Sequence, residues 1–162
     1  METYLKEAEQ LIYENRVNDG IALMKDLLYV EPGSGYLHNQ LGWAYLYYTD
    51  EVSQAELHLK MAIQFDGEYP APYIHMGNLM IRLNRYADAI KYLKLGLQKP
   101  SANKVVFMEL IGQALELSGE YGQAMKAYRE AMLASLNEHE VNNIMKHRAR
   151  CRKKRWASFW SM

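Results

Sequence analysis

Asn39-Gln40-Leu41-Gly42-Trp43-Ala44-Tyr45 sets a glycine three residues ahead of a large aromatic, with apolar residues around both. Residues three and four apart share one face of a helix, so Gly42 and Tyr45 mark a face on which a small and a large residue alternate. The same pair recurs as Ala8 with Leu11, Gly77 with Met80, and Gly112 with Leu115, at spacings of 34, 35 and 35. A second small residue follows at Gly20, Ala55, Ala89 and Ala124, each with a large apolar residue four later: Met24, Leu59, Leu93 and Tyr128. A third position of the kind is Leu27, Ala62, Gly96 and Ala131. A repeat of this length with two helical stretches per period predicts stacked helix pairs, with small residues where two helices cross closely.

Turn signals separate the two halves of each period: Asn15-Arg16, Thr49-Asp50-Glu51, Asn84-Arg85 and Gly119-Glu120. Asn and Gly tolerate the left-handed backbone that ends a helix. The four prolines, Pro32, Pro70, Pro72 and Pro100, fall between periods, where a helix stops or has just begun. No stretch alternates as a strand does, so an all-α chain is expected.

These residues resemble the tetratricopeptide repeat (TPR). Asn39 to Tyr45 and Tyr86-Ala-Asp-Ala-Ile-Lys-Tyr92 follow its pattern closely, and Glu31-Pro32 supplies a repeat ending. The resemblance covers four units, 1–34, 35–69, 70–104 and 105–138, with 139–162 as a C-terminal capping helix and tail. Departures are Glu7 where an apolar residue is usual, His38 where a bulky one is usual, and one extra residue in the turn from Thr49 to Ser53. The family implies a right-handed α-solenoid of antiparallel helix pairs, whose first helices line a concave groove and whose second helices form the outer wall.

The stripe of each first helix away from the small and large pairs then faces that groove. It offers Leu5, Glu9 and Ile12; Tyr36, Asn39, Trp43 and Tyr47; Ala71, Ile74, Asn78 and Arg82; and Val106, Glu109, Gln113 and Glu116. Aromatic rings flanked by amides suit the anchoring of a partner side chain. Burial of Tyr36 or Trp43 between neighbouring first helices is the competing reading. The resemblance also implies what is missing: where relatives that grip chaperone carboxylate tails carry Lys, Asn and Arg, this chain has Leu5, Glu9, Gln40, Ala71 and His75.

Formal net charge is zero, by cancellation: residues 1–69 carry −8, residues 70–137 +3 and residues 138–162 +5. An acidic first half repels an acidic tail and favours a basic or apolar partner segment. The tail residues Arg148, Arg150, Arg152, Lys153, Lys154, Arg155, Trp156 and Trp160 suit an anionic surface, nucleic acid or an acidic protein patch, or alternatively make a capping helix with a solvated charged face. Contact between this arm and the acidic half of another copy would give a homo-oligomer. Cys151 among arginines is either a reactive thiol of lowered pKa or an ordinary helix residue.

Catalytic signatures are absent from the sequence: there is no glycine-rich phosphate loop, paired-cysteine metal motif or nucleophile elbow. His139-Glu140 begins like a zinc-protease helix, but Asn143 stands where the second histidine must be. His38, His58, His75, His139 and His147 lack ligand spacing and are read as surface or packing residues. The expectation is therefore a cytoplasmic binding module without enzyme activity, cofactor, metal or membrane span, acting as an adaptor or scaffold for a partner peptide or helix. A secretion-type chaperone for one client is the alternative, and binding through the basic tail a third reading.

Overall fold

The computed structural model describes the chain over residues 2–160, and side chains over residues 3–158. Among the described residues there are nine helices and no strand: α1 (Glu2–Tyr13), α2 (Val17–Val30), α3 (Gly35–Tyr48), α4 (Val52–Phe65), α5 (Ala71–Arg82), α6 (Tyr86–Leu97), α7 (Lys104–Leu117), α8 (Tyr121–Ala134) and α9 (Glu138–Trp160). They form two compact units, Met1–Leu79 and Met80–Met162, with the boundary inside α5. None of these helices is long and apolar enough to cross a membrane.

Three of the turns within helix pairs share one solution. Asn15, Asn84 and Gly119 adopt φ of 66°, 58° and 84°. That reversal lets Arg16 N–H reach the Leu11 carbonyl, Arg85 N–H that of Met80 and Glu120 N–H that of Leu115, each at 2.8 Å. These bonds occupy carbonyls that a helix end leaves open. The turn after α3 carries the extra residue and works differently: Thr49 stays extended, its hydroxyl donating to the Tyr45 carbonyl at 2.9 Å and accepting from Glu51 N–H at 3.0 Å. Helices α3, α7 and α9 are started by side-chain caps from Ser34, Asn103 and Asn137.

In the first unit α1 packs on α2, α2 on α3 and α3 on α4. Ala8, Ile12, Met24, Leu37, Leu41, Leu59, Met76 and Leu79 form its core. A Cβ on Gly42 would stand 2.7 Å from Cγ of Leu59, and one on Gly20 2.6 Å from the Ala8 carbonyl oxygen, so hydrogen at these positions sets how near the helices lie. Two of the histidines meet here: His38 Nδ1 and His58 Nδ1 are 2.9 Å apart, while His38 Nε2 is 3.2 Å from the Pro32 carbonyl. Two neutral rings satisfy this if His38 donates to Pro32 and accepts from His58. Burial, then the charges of His38 and Lys25, holds the His58 pKa down at about 4.

In the second unit α6 packs on α7, α7 on α8 and α8 on α9. Leu93, Phe107, Tyr128, Ile144 and Cys151 are buried in its core. Gly112 plays the part of Gly42: an added Cβ would lie 2.7 Å from two carbons of the Tyr128 ring.

Candidate functional site

The first-helix face of the first unit holds a pocket of ≈ 230 Å³. Glu9 and Tyr13 of α1, Asn39, Gln40 and Trp43 of α3, Ala71 and His75 of α5, and Tyr69 from the preceding loop line it. Helical spacing accounts for most of the set, since Glu9 and Tyr13, or Ala71 and His75, lie one turn apart. The rings of Tyr13, Trp43 and Tyr48 meet edge to face, with centroids 5.0 to 6.5 Å apart. Tyr36 lies 6.0 Å from Tyr69, and Tyr47 sits edge-on to His75 at 5.7 Å while accepting a 2.8 Å hydrogen bond from Asn78 Nδ2.

Polar groups at the pocket are ordered by a relay. Asn39 Nδ2 donates to Gln40 Oε1 at 3.0 Å, and Gln40 Nε2 donates to Glu9 Oε1. Asn39 is only 1 % exposed, yet its Oδ1 has no hydrogen-bond partner among the described residues, and neither has His75 Nδ1. Burial holds the His75 pKa at about 4, so its ring is neutral near pH 7. For Tyr69, burial and then the charges of Tyr36, Asp66 and Glu9 push the phenol up.

Four expected groove residues are corrected, Leu5, Ile12 and Asn39 in the first unit and Glu116 in the second. Leu5 and Ile12 are core residues, 6 % and 1 % exposed, because Leu5, Ala8 and Ile12 follow one another at three and four residues and form a single buried stripe of α1. Asn39 lies on the floor and not on the open face, since α3 is buried around most of its circumference between α2 and α4. Tyr36 and Tyr47 are half exposed and Trp43 half buried on α3; Ile74 and Asn78 are half buried on α5. Tyr13 and Tyr69 were not named as groove residues, and Gln40 and His75 only as departures from the carboxylate-gripping pattern.

In the second unit α9 occupies the matching ground. Glu109 is 3.3 Å from His147 Nδ1, Gln113 and Arg82 are exposed, and Glu116 is buried. Arg150 grips Glu116 with both nitrogens of one edge, Nε to Oε1 at 2.6 Å and Nη2 to Oε2 at 2.7 Å. Lys154 adds a bond of 2.8 Å and the Tyr128 hydroxyl one of 3.1 Å. Burial raises the Glu116 pKa, but donation from Arg150, Lys154, Cys151 and Tyr128 outweighs it and holds the carboxyl at about 2. Arg150 and Lys154 are thus internal ligands of Glu116, which corrects their place on a free basic arm. Cys151 is wholly buried, and burial followed by its bond to Glu116 pushes the thiol up to about 12, so the reactive-thiol reading is also corrected.

The tail residues Arg148, Arg152, Lys153, Arg155 and Trp156 are exposed; the side chain of Trp160 lies outside the described residues. Met125, Arg152, Arg155 and Trp156 border a groove of ≈ 450 Å³ beside α8. No group of three His, Cys, Asp or Glu placed to hold a metal occurs among the described residues.

No family model and no curated protein sequence matches the chain. Solved structures do. Pseudomonas aeruginosa PilF superposes with a TM-score of 0.77 at 14% identity, covering 94% of this chain and 72% of its own. PilW, a widely conserved type IV pilus biogenesis factor, gives 0.76 at 15%, covering 94% and 77%. The fold is that of tetratricopeptide-repeat proteins. MamA from Desulfovibrio magneticus RS-1, another tetratricopeptide-repeat structure, gives 0.70 at 10% identity, covering 96% and 95%. Identities this low establish the tetratricopeptide fold alone.

Proposed function

We propose that the chain is a protein-interaction module, an adaptor or scaffold, whose binding face is the first-helix face of its first unit. The observation that carries this reading is the pocket between α1, α3 and α5, walled by Tyr13, Trp43 and Tyr69 and bearing an unmet acceptor, Asn39 Oδ1. Half-exposed aromatics around a concave polar site are the composition of binding hot spots. The first unit carries 12 acidic and 4 basic side chains, so a basic or apolar segment fits it and an acidic tail does not. A chaperone for a single client would use the same face and differ in its partner alone.

A second reading belongs to α9, where exposed Arg148, Arg152 and Arg155 beside Trp156 suit an acidic protein surface. One experiment separates the two. A random-peptide library panned on the full chain should enrich sequences rich in Lys, Arg and apolar residues. Trp43→Ala should weaken a selected peptide by about 2 kcal/mol, roughly thirtyfold, and Trp156→Ala should leave it unchanged. The reverse pattern moves the site to α9.

A further inference from the structure

The pocket of the first unit has a definite hydrogen-bonding sense. The Asn39 to Gln40 to Glu9 relay takes one N–H of each amide and ends on a carboxylate; Asn39 Oδ1 is left without a partner among the described residues, and the Glu9 carboxylate is met by a neutral amide. Neither lysine nor arginine is among the residues lining it, and Glu9 is the one charged side chain there. An acceptor buried this deeply without a donor is costly, and a charged donor relieves it better than a neutral one. Around these acceptors stand the rings of Tyr13, Trp43 and Tyr69, whose faces attract cations. His75 is neutral near pH 7 and offers no repulsion.

The second unit shows what this chain does with a carboxylate on a first helix. Glu116 is met by Arg150 and Lys154, cations delivered on α9 from 34 and 38 residues away. The acceptors of this pocket, Asn39 Oδ1 and the Glu9 carboxylate, have no such cationic donor among the described residues. A metal ion is a poor substitute, because no three ligating side chains converge there.

We propose that this pocket is a subsite for one lysine or arginine side chain of a partner polypeptide, its alkyl stem against Trp43 and Tyr13 and its charged head on Asn39 Oδ1 and Glu9. The assignment rests on the groove reading above and narrows it to a chemistry. A stem lying on aromatic faces with its head on fixed acceptors is the arrangement long cationic side chains favour. The net negative charge of the unit adds long-range attraction that salt weakens.

The test uses the full chain, isotope-labelled for nuclear magnetic resonance, with three small probes: the Nα-acetyl methylamides of lysine, arginine and norleucine. The lysine and arginine probes should shift the Trp43 indole N–H and the Asn39 amide saturably, and norleucine should bind about tenfold more weakly or worse, one charge-assisted hydrogen bond's worth. Glu9→Gln should weaken the cationic probes about tenfold, whereas Glu7→Gln, an exposed carboxylate outside the pocket, should change nothing. Equal binding of norleucine overturns the proposal, as do shifts spread over the acidic surface and insensitive to Glu9→Gln. If the probes fail while Trp43→Ala still abolishes a selected peptide, the subsite falls and the groove stands. If they bind while Trp43→Ala leaves peptides untouched, the groove reading falls and the cation pocket stands.

Discussion

Glu9 on α1 and Glu116 on α7 are both carboxylates on first helices, and their surroundings differ in one respect. Glu116 is enclosed by Arg150, Lys154 and Tyr128, all supplied by its own unit. Glu9 has the Gln40 amide, beside the unpartnered Asn39 Oδ1. The chain completes one acidic site with its last helix and leaves the other incomplete. A buried carboxylate stripped of its cations is a strong liability, whereas a half-exposed one beside an open pocket is tolerable in water and available to a ligand.

The largest effect should come from undoing that completion. Replacing Arg150 and Lys154 together by Ala leaves Glu116 buried without a cation, and urea unfolding should show a loss of about 3 kcal/mol. Glu9→Gln should change stability by less than about 0.5 kcal/mol. Equal effects in the two units would erase the comparison. Next in size are the close helix crossings: Gly42→Ala and Gly112→Ala should each cost about 1 to 3 kcal/mol, because the new methyl meets Leu59 in one unit and the Tyr128 ring in the other at 2.7 Å. Here the units should behave alike, since the crossing geometry is shared.

Acid should distinguish them by its window. The His58 and His75 pKa values fall from 6.5 to about 4 in the folded chain, so the unfolded state takes up these protons first. Their contribution is intact above about pH 6.5 and is lost as pH falls toward 4. The Glu116 pKa falls from 4.5 to about 2, so its contribution holds above about 4.5 and is lost as pH falls through 2. Amide exchange corrected for intrinsic rates should therefore rise in α4 and α5, which carry His58 and His75, under milder acid than in α7 to α9. Simultaneous loss of protection would show that the histidines contribute little.

What the sequence made legible follows from what is local. The period of small residues stands out because a close crossing excludes a Cβ, and Gly42 and Gly112 have no room for one. Asn15, Asn84 and Gly119 were readable as turns because few residues accept a positive φ. Helical spacing alone puts Tyr36, Trp43 and Tyr47 on one stripe of α3, and all three keep some exposure there. The first helix was misread by one stripe: taking Ala8 and Leu11 as the buried face left Leu5 and Ile12 on the groove, though both sit one turn from Ala8 on its own side. Tyr13 and His75 carried a usable signal, each four residues beyond a residue already placed on the face. Tyr69 carried none, because a loop residue before Pro70 has no helical period. Glu116 reads as exposed by spacing, and only the arrival of α9, 34 residues later, buries it.

A crystal structure of the full chain with a peptide selected on it tests the central claim most directly. The account predicts the peptide across α1, α3 and α5 of the first unit, with one lysine or arginine side chain between Trp43 and Tyr13 and its charged head within hydrogen-bond distance of Asn39 Oδ1 and Glu9. A peptide seated on α8 and α9, or one that places an apolar or acidic side chain in that pocket, would contradict it.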